Sequence, residues 1–305
     1  MMEIEIARHN HLVDPALHVW GWQVAAYLFL GGVTAGIMIV SALLARHVAP
    51  DRQSRAMRLM IFAAPIALSI GMFALFLDLE NKLHVWRFYT AFRVTSPMSW
   101  GSWILLLIYP ATMLLGLVRL TAEEIGRLPM VVRRITYATQ AFLRPIETVN
   151  VLLGIALGAY TGILLSTLGA RELWSSALLG PLFLVSGLST GAALAMLLPV
   201  TPEEHDIVRR WDLWAIALEL VLLALFFVGL GTSAAGSRAA AALFVGGPYT
   251  AAFWSIIVIA GLGVPATLEL FETRVRKSSL ITPALLLAGG FALRWIFVAA
   301  GQSSF

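Results

Sequence analysis

The chain has 305 residues, 59% of them hydrophobic and only 12% charged, with a mean hydropathy of +0.85 and a formal net charge of +4. Soluble domains carry about 25% charged residues, so this chain lacks the charge to coat a water-facing surface, and its hydrophobicity excludes disorder. The composition places it in a membrane, where a basic excess reports loops on one side rather than nucleic-acid binding.

The opening segment, Met1–Val19, holds Glu3, Glu5, Arg8 and Asp14. It lacks the basic start and short apolar core of a signal peptide, so the first apolar run is expected to be retained. A bilayer core of about 30 Å needs about 20 apolar residues in a helix. Eight stretches qualify: Trp20–Leu44, Leu59–Leu79, Trp100–Val118, Thr148–Leu168, Trp174–Leu198, Leu213–Leu230, Thr250–Leu270 and Leu280–Ala300. The linkers are short, which predicts one all-helical membrane domain. Fourteen lysines and arginines fall in the loops after spans one, three, five and seven, against six on the other side. The positive-inside rule then places both termini outside.

Span one reads Gly32-Val-Thr-Ala-Gly36 and span five reads Gly187-Leu-Ser-Thr-Gly191, each after a Phe-Leu pair. Pro97 and Pro248 precede spans three and seven. A four-span offset gives parallel repeats, dividing the chain into halves at 1–168 and 169–305. Glycine is also common in membrane helices for packing alone.

Ionisable groups within spans are costly and need a partner or a purpose. In span two, Ala67, Gly71, Ala74 and Asp78 form one stripe ending in a carboxylate. Asp78 is either a proton acceptor beside a ligand or a helix-end partner of Lys82 or Arg87. Span one carries a polar stripe of Gln23, Tyr27, Gly31 and Thr34, and Tyr27 could also be an interfacial anchor. Span four has a ridge of Gly154, Gly158 and Gly162, with Glu147 on the same side and Tyr160 roughly opposite. Tyr27, Asp78 and Tyr160 are therefore expected at one depth, near the outer leaflet. Glu147, Asp212, Glu219 and Glu269 could line an inner half-channel for protons, or equally pair with Arg209, Arg210, Arg274 and Arg294.

The stretch 79–103, LENKLHVWRFYTAFRVTSPMSWGSW, interleaves aromatics with Lys82, His84, Arg87 and Arg93. It reads either as an interfacial helix or as a docking surface for an extrinsic subunit. Cysteine is absent, which removes disulfides, thiolate nucleophiles and Cys-ligated iron–sulfur or zinc sites. His9, His11, His18, His47, His84 and His205 fall in loops or at helix ends. Bis-His haem, which needs facing pairs, is not expected.

These segments resemble the NrfD/PsrC family, the membrane anchor subunits of polysulfide-reductase-type respiratory complexes. The resemblance rests on Tyr27–Gly36 (YLFLGGVTAG), the Leu77–Leu79 turn, Ser96–Trp103 (SPMSWGSW), Tyr160–Leu165 (YTGILL), Ser186–Gly191 (SGLSTG) and the Gly246–Glu269 run. It implies eight helices in two four-helix bundles in the cytoplasmic membrane, no haem, and a site for menaquinone or ubiquinone near the periplasmic face. It also implies a ferredoxin-like [4Fe–4S] subunit and often a molybdopterin catalytic subunit on that face, so terminal-substrate chemistry would lie outside this chain. The family's span-four tyrosine maps onto Tyr160. Some members carry an Asn and a His in span one where this chain has Val24 and Tyr27, and a phenol could replace the imidazole as donor. His84 and Arg87 are further candidates beside the quinone. After the Leu-Asp-Leu turn, Glu80-Asn81-Lys82 replaces a common Gly-x-Pro. A secondary transporter is the rival reading, and it predicts broken helices at matching positions of both halves.

Overall fold

The computed structural model describes residues 20–49, 52–79, 81–90, 92–93, 95–168, 171–275 and 280–304. The segment before Trp20, Glu80, Arg276, Lys277 and the side chain of Arg274 lie outside the described residues. Among the described residues there is no strand. Eight helices are long and apolar enough to cross a membrane: α1 (Trp22–His47), α2 (Arg55–Asp78), α3 (Pro97–Val118), α4 (Leu143–Ser166), α5 (Leu179–Met196), α6 (Pro202–Thr232), α7 (Thr250–Phe271) and α8 (Ile281–Ser303). The protein is a multi-pass membrane protein.

The helix ends depart from the apolar runs where polar residues continue or stop the helix. Helix α6 starts eleven residues before the apolar run, at a capping box in which Thr201 and Glu204 satisfy each other's backbone N–H groups. Helix α3 starts at Pro97, whose missing N–H would have had no partner there. Helix α5 starts later than Trp174 because the preceding turn is bound to the end of α8. Arg171 donates to the Ser304 carbonyl at 2.9 Å and the Trp174 indole to the Phe297 carbonyl at 2.9 Å. Trp174 also stacks on Trp20, whose backbone exchanges two hydrogen bonds with the Gln302 amide.

Helix α1 packs on α2 and α4, and α3 on α4; α5 packs on α6 and α8, and α7 on α8. The two groups meet along α1 and α5. Lipid tails are as apolar as leucine, so helices associate through close packing of small residues rather than through hydrophobic drive. The seam shows this directly. A Cβ on Gly36 or Gly191 would run into the opposing helix backbone, and one on Gly187 would come within 2.9 Å of the Gly32 carbonyl. The two copies of the glycine motif are thus each other's contact. Helix α4 lies in the groove beside them, with Gly154 against Ala35 and Ile39 of α1 and Gly162 against the Leu179 backbone of α5.

The arginine-rich end is fastened by polar contacts. Arg119 donates to the Ser41 carbonyl and the Gln53 amide, at 2.9 and 2.8 Å. Ser54 N–H donates to the buried Glu204 carboxylate at 2.9 Å, joining the halves there.

Candidate functional site

Four helices of the first half converge on a pair of phenols. Tyr27 lies about 7.5 Å of helix rise inside the start of α1, and Tyr160 about 9 Å inside the end of α4, so both sit at one depth. They are 2% and 6% exposed. Gly71 of α2 lets that helix approach the Tyr27 backbone, with a Cβ there meeting the Tyr27 Cα at 3.6 Å. Gly101 of α3 leaves the space that the Tyr160 phenol fills. Tyr89, from the helical turn Arg87–Thr90, completes the cluster within electrostatic reach of Tyr27. Its own phenol, outside the spans, is pushed above the usual range by burial and by Tyr109.

Neither the Tyr27 nor the Tyr160 hydroxyl makes a hydrogen bond among the described residues. Gln23, one turn before Tyr27, buries an amide oxygen that accepts nothing there. Two donors and an acceptor thus stand without hydrogen bonds among the described residues. The segment above them is held to α3 by Arg93 N–H donating to the Ser99 hydroxyl at 3.0 Å and by the Phe92–Trp103 edge contact. It leaves Leu83, Trp86 and Phe92 exposed, with Lys82, His84, Arg87 and Arg93 among them.

The remaining candidates separate into three places. Asp78 ends α2, half-buried, and makes no ion pair with Lys82 or Arg87 among the described residues. With His84 and Arg87, which are exposed, it stands at the rim; no contact joins the three to Tyr27 or Tyr160 among the described residues. Glu147 is buried at the arginine-rich end, where Arg46 and Arg144 pair with it at 3.1 and 3.4 Å. Asp212, Glu219 and Glu269 gather in the second half with Arg294, Ser186 and Ser189.

Sequence reasoning missed Gly101 and Tyr89 as parts of the phenol site, although both stand in the aromatic stretch it singled out. It also missed Ser186 and Ser189, which lie beside and inside the glycine motif of α5, respectively, and look there like packing residues.

Comparison with known proteins agrees with this architecture. The family model described as "Polysulphide reductase, NrfD" matches residues 9–305. Protein NrfD of Escherichia coli (strain K12) is 32% identical over 93% of this chain and 95% of its own length. The C subunit of polysulfide reductase from Wolinella succinogenes is 31% identical over 93% and 95%. The Protein NrfD homolog of Haemophilus influenzae is 26% identical over 93% and 94%. The chain belongs to the NrfD polysulphide reductase family.

Proposed function

We propose that this member of the NrfD family is the quinone-reactive membrane anchor of a multi-subunit respiratory oxidoreductase. It passes electrons between the quinone pool and an iron–sulfur partner docked on its outer, periplasmic face. The observation that carries this reading is the pair of buried phenols at one depth, each with a hydroxyl that donates to nothing among the described residues. A quinone headgroup asks for a donor at its carbonyl oxygens and an apolar crevice for its tail. Tyr27 and Tyr160 supply the donors, and Gly71 and Gly101 let α2 and α3 close around them. The bound quinone supplies the two-electron chemistry. The chain's own residues orient the headgroup, exclude bulk water and hold a proton at the phenol oxygens.

Asp78 fits the rim of this site as the route by which protons reach the outside, with His84 and Arg87 as further contacts beside the headgroup. The segment 79–103, with Leu83, Trp86 and Phe92 exposed among basic residues, fits the docking of a ferredoxin-like [4Fe–4S] subunit. The likeness to a protein named as part of polysulfide reductase supports such a partner, with a molybdopterin subunit beyond it. The transporter reading is less well supported. Helix α7 is π-helical over Phe253–Gly263, whereas α3, its counterpart in the first half, has no π-helical stretch, though it holds Pro110 in its interior.

The test is turnover of a menaquinol analogue and of a ubiquinol analogue by the purified complex carrying Tyr27→Phe or Tyr160→Phe. Each variant loses one hydrogen bond to a carbonyl that gains charge during the reaction, worth about 1.5–3 kcal/mol. Turnover over KM should fall roughly 10- to 100-fold for each. If both variants keep the full rate with both analogues, the phenols are not the quinone site.

A further inference from the structure

The second half buries a polar cluster that the quinone site does not use. Asp212 of α6 and Glu269 of α7 are both fully buried. Both Asp212 oxygens lack a hydrogen-bond donor among the described residues, and they face the Glu269 carboxyl and the Ser189 hydroxyl. Seven residues further along α6, about 10.5 Å deeper, the buried Glu219 lies beside Ser186 and Arg294. Arg294 of α8 has no exposure and is fixed in place. It donates to Ser186 Oγ at 2.7 Å, to the Gly290 carbonyl at 2.9 Å and to the Phe183 carbonyl at 3.0 Å, and its guanidinium lies over the Phe183 ring.

Between these groups is an internal cavity of about 10 Å³, lined by Ser186, Ser189, Thr190, Glu219 and the π-helical Gly261. That is room for about one water, and the lining has the two to four polar partners a buried water needs. π-helical turns of this kind concentrate at functional sites. The facing charges are Arg209, which donates to the Glu269 backbone carbonyl at 2.9 Å on the arginine-rich side, and Arg294 on the deep side.

We propose that Asp212, Glu269, Ser189, one water and Glu219 form a proton relay that loads from the arginine-rich face, with Arg294 as its fixed counter-charge. Two carboxyl groups facing each other share a hydrogen bond only when a proton sits between them, so the Asp212–Glu269 pair stores one proton. Transfer breaks that O–H bond and forms one on Glu219 by way of the water and Ser189. The step leaves the pair fully ionised and Arg294 without its neutralising partner, and a proton from the arginine-rich side then reloads the pair. The relay ends at the seam between the halves: a Cβ on Gly32 would come within 2.9 Å of Arg294 Nη2. Gly32 is five residues, about 7.5 Å of rise, from Tyr27. Glu147 has no part in it, because it lies apart at the arginine-rich end, paired with Arg46 and Arg144.

The test is infrared spectroscopy of the purified complex at neutral pH, which needs no quinone turnover. The wild-type complex should show a protonated-carboxyl band that shifts in D2O. Asp212→Asn should remove it, while Glu147→Gln and Tyr160→Phe leave it in place. Asp212→Glu should restore it if the Asn variant is poorly folded. In liposomes, quinone reduction by the complex consumes protons at the quinone site, and Asp212→Asn and Glu219→Gln should slow their uptake from the arginine-rich side about 100-fold while electron transfer continues on protons drawn from the outer rim. A band that survives Asp212→Asn, or one that sodium chloride displaces in favour of a bound sodium ion, would overturn the relay. A turnover defect in Tyr160→Phe with the band intact bears on the quinone site alone.

Discussion

At the scale of single residues, the absence of one side chain decides where the Tyr160 phenol sits. A Cβ on Gly101 would occupy the position of that phenol, so the ring end of Tyr160 would have to move. Gly101→Ala should therefore displace Tyr160 while favouring the helix it stands in, since Ala exceeds Gly there by about 0.5–1 kcal/mol. Turnover of the menaquinol analogue is expected to fall further than in Tyr160→Phe, and displacement of the ring should cost about 1–3 kcal/mol of stability by overpacking against that gain. Equal rates in Gly101→Ala and the parent protein would show that the ring position is immaterial. Tyr27 and Tyr160 were legible in the sequence because polar groups on an apolar helix stand out at helical spacing. Gly101 was not, because its role depends on which helix faces it, and spacing within one helix carries no such information. The acids divide in the same way. Glu147 and Asp212 look alike in an apolar run, yet one meets two arginines and the other a second carboxyl.

At the scale of elements, the eight helices follow from the apolar runs, while their ends depend on chemistry that hydropathy does not record. Thr201 and Glu204 start α6 eleven residues before its apolar run, and the turn at Arg171–Trp174 delays α5 because the end of α8 captures it. The π-helical stretch of α7 leaves no trace in its apolar composition. The glycine repeat was legible as a pattern, and its meaning comes from the contact: α1 and α5 cross through their own matching motifs. That crossing allows a paired comparison. Gly191→Ala forces a Cβ against the Gly36 backbone, which no rotamer change can relieve, so its cost should reach or exceed the upper end of the usual 1–3 kcal/mol for overpacking. Gly229→Ala, on an exposed face of α6 where a Cβ meets nothing within 4 Å, should stabilise by about 0.5–1 kcal/mol. Detergent-titration unfolding of the two variants measures both. A stable Gly191→Ala protein would mean that the halves are not held by this seam.

For the whole molecule, the functional reading turns on which way the eight helices face. The phenol pair and the 79–103 segment share one end, and Arg119, Arg209 and the pairs Arg46–Glu147 and Arg55–Glu124 share the other. If the positive-inside rule holds here, the first end is periplasmic and the proton relay opens to the cytoplasm. The two assignments then stand or fall together, since a flipped molecule would present the aromatic segment to the wrong compartment. The chain contains no cysteine, so single cysteines report topology without background. Lys82→Cys, at an exposed residue beside the phenol site, should react with a membrane-impermeant maleimide in intact cells stripped of their outer membrane. Arg134→Cys, exposed on the short helix Met130–Thr139 that precedes α4, should react only in inverted vesicles. Arg134 takes no part in the phenol site, the relay or the docking segment, so Arg134→Cys should leave turnover near the parent value, whereas Lys82 lies in the proposed docking segment and its labelling is read in cells lacking the partner subunits. The reverse labelling pattern would move the proposed quinone site to the cytoplasmic leaflet and the mouth of the proposed relay to the periplasm. Electron transfer could still occur in that arrangement, but quinol chemistry and proton uptake would then act on opposite sides from those assigned here.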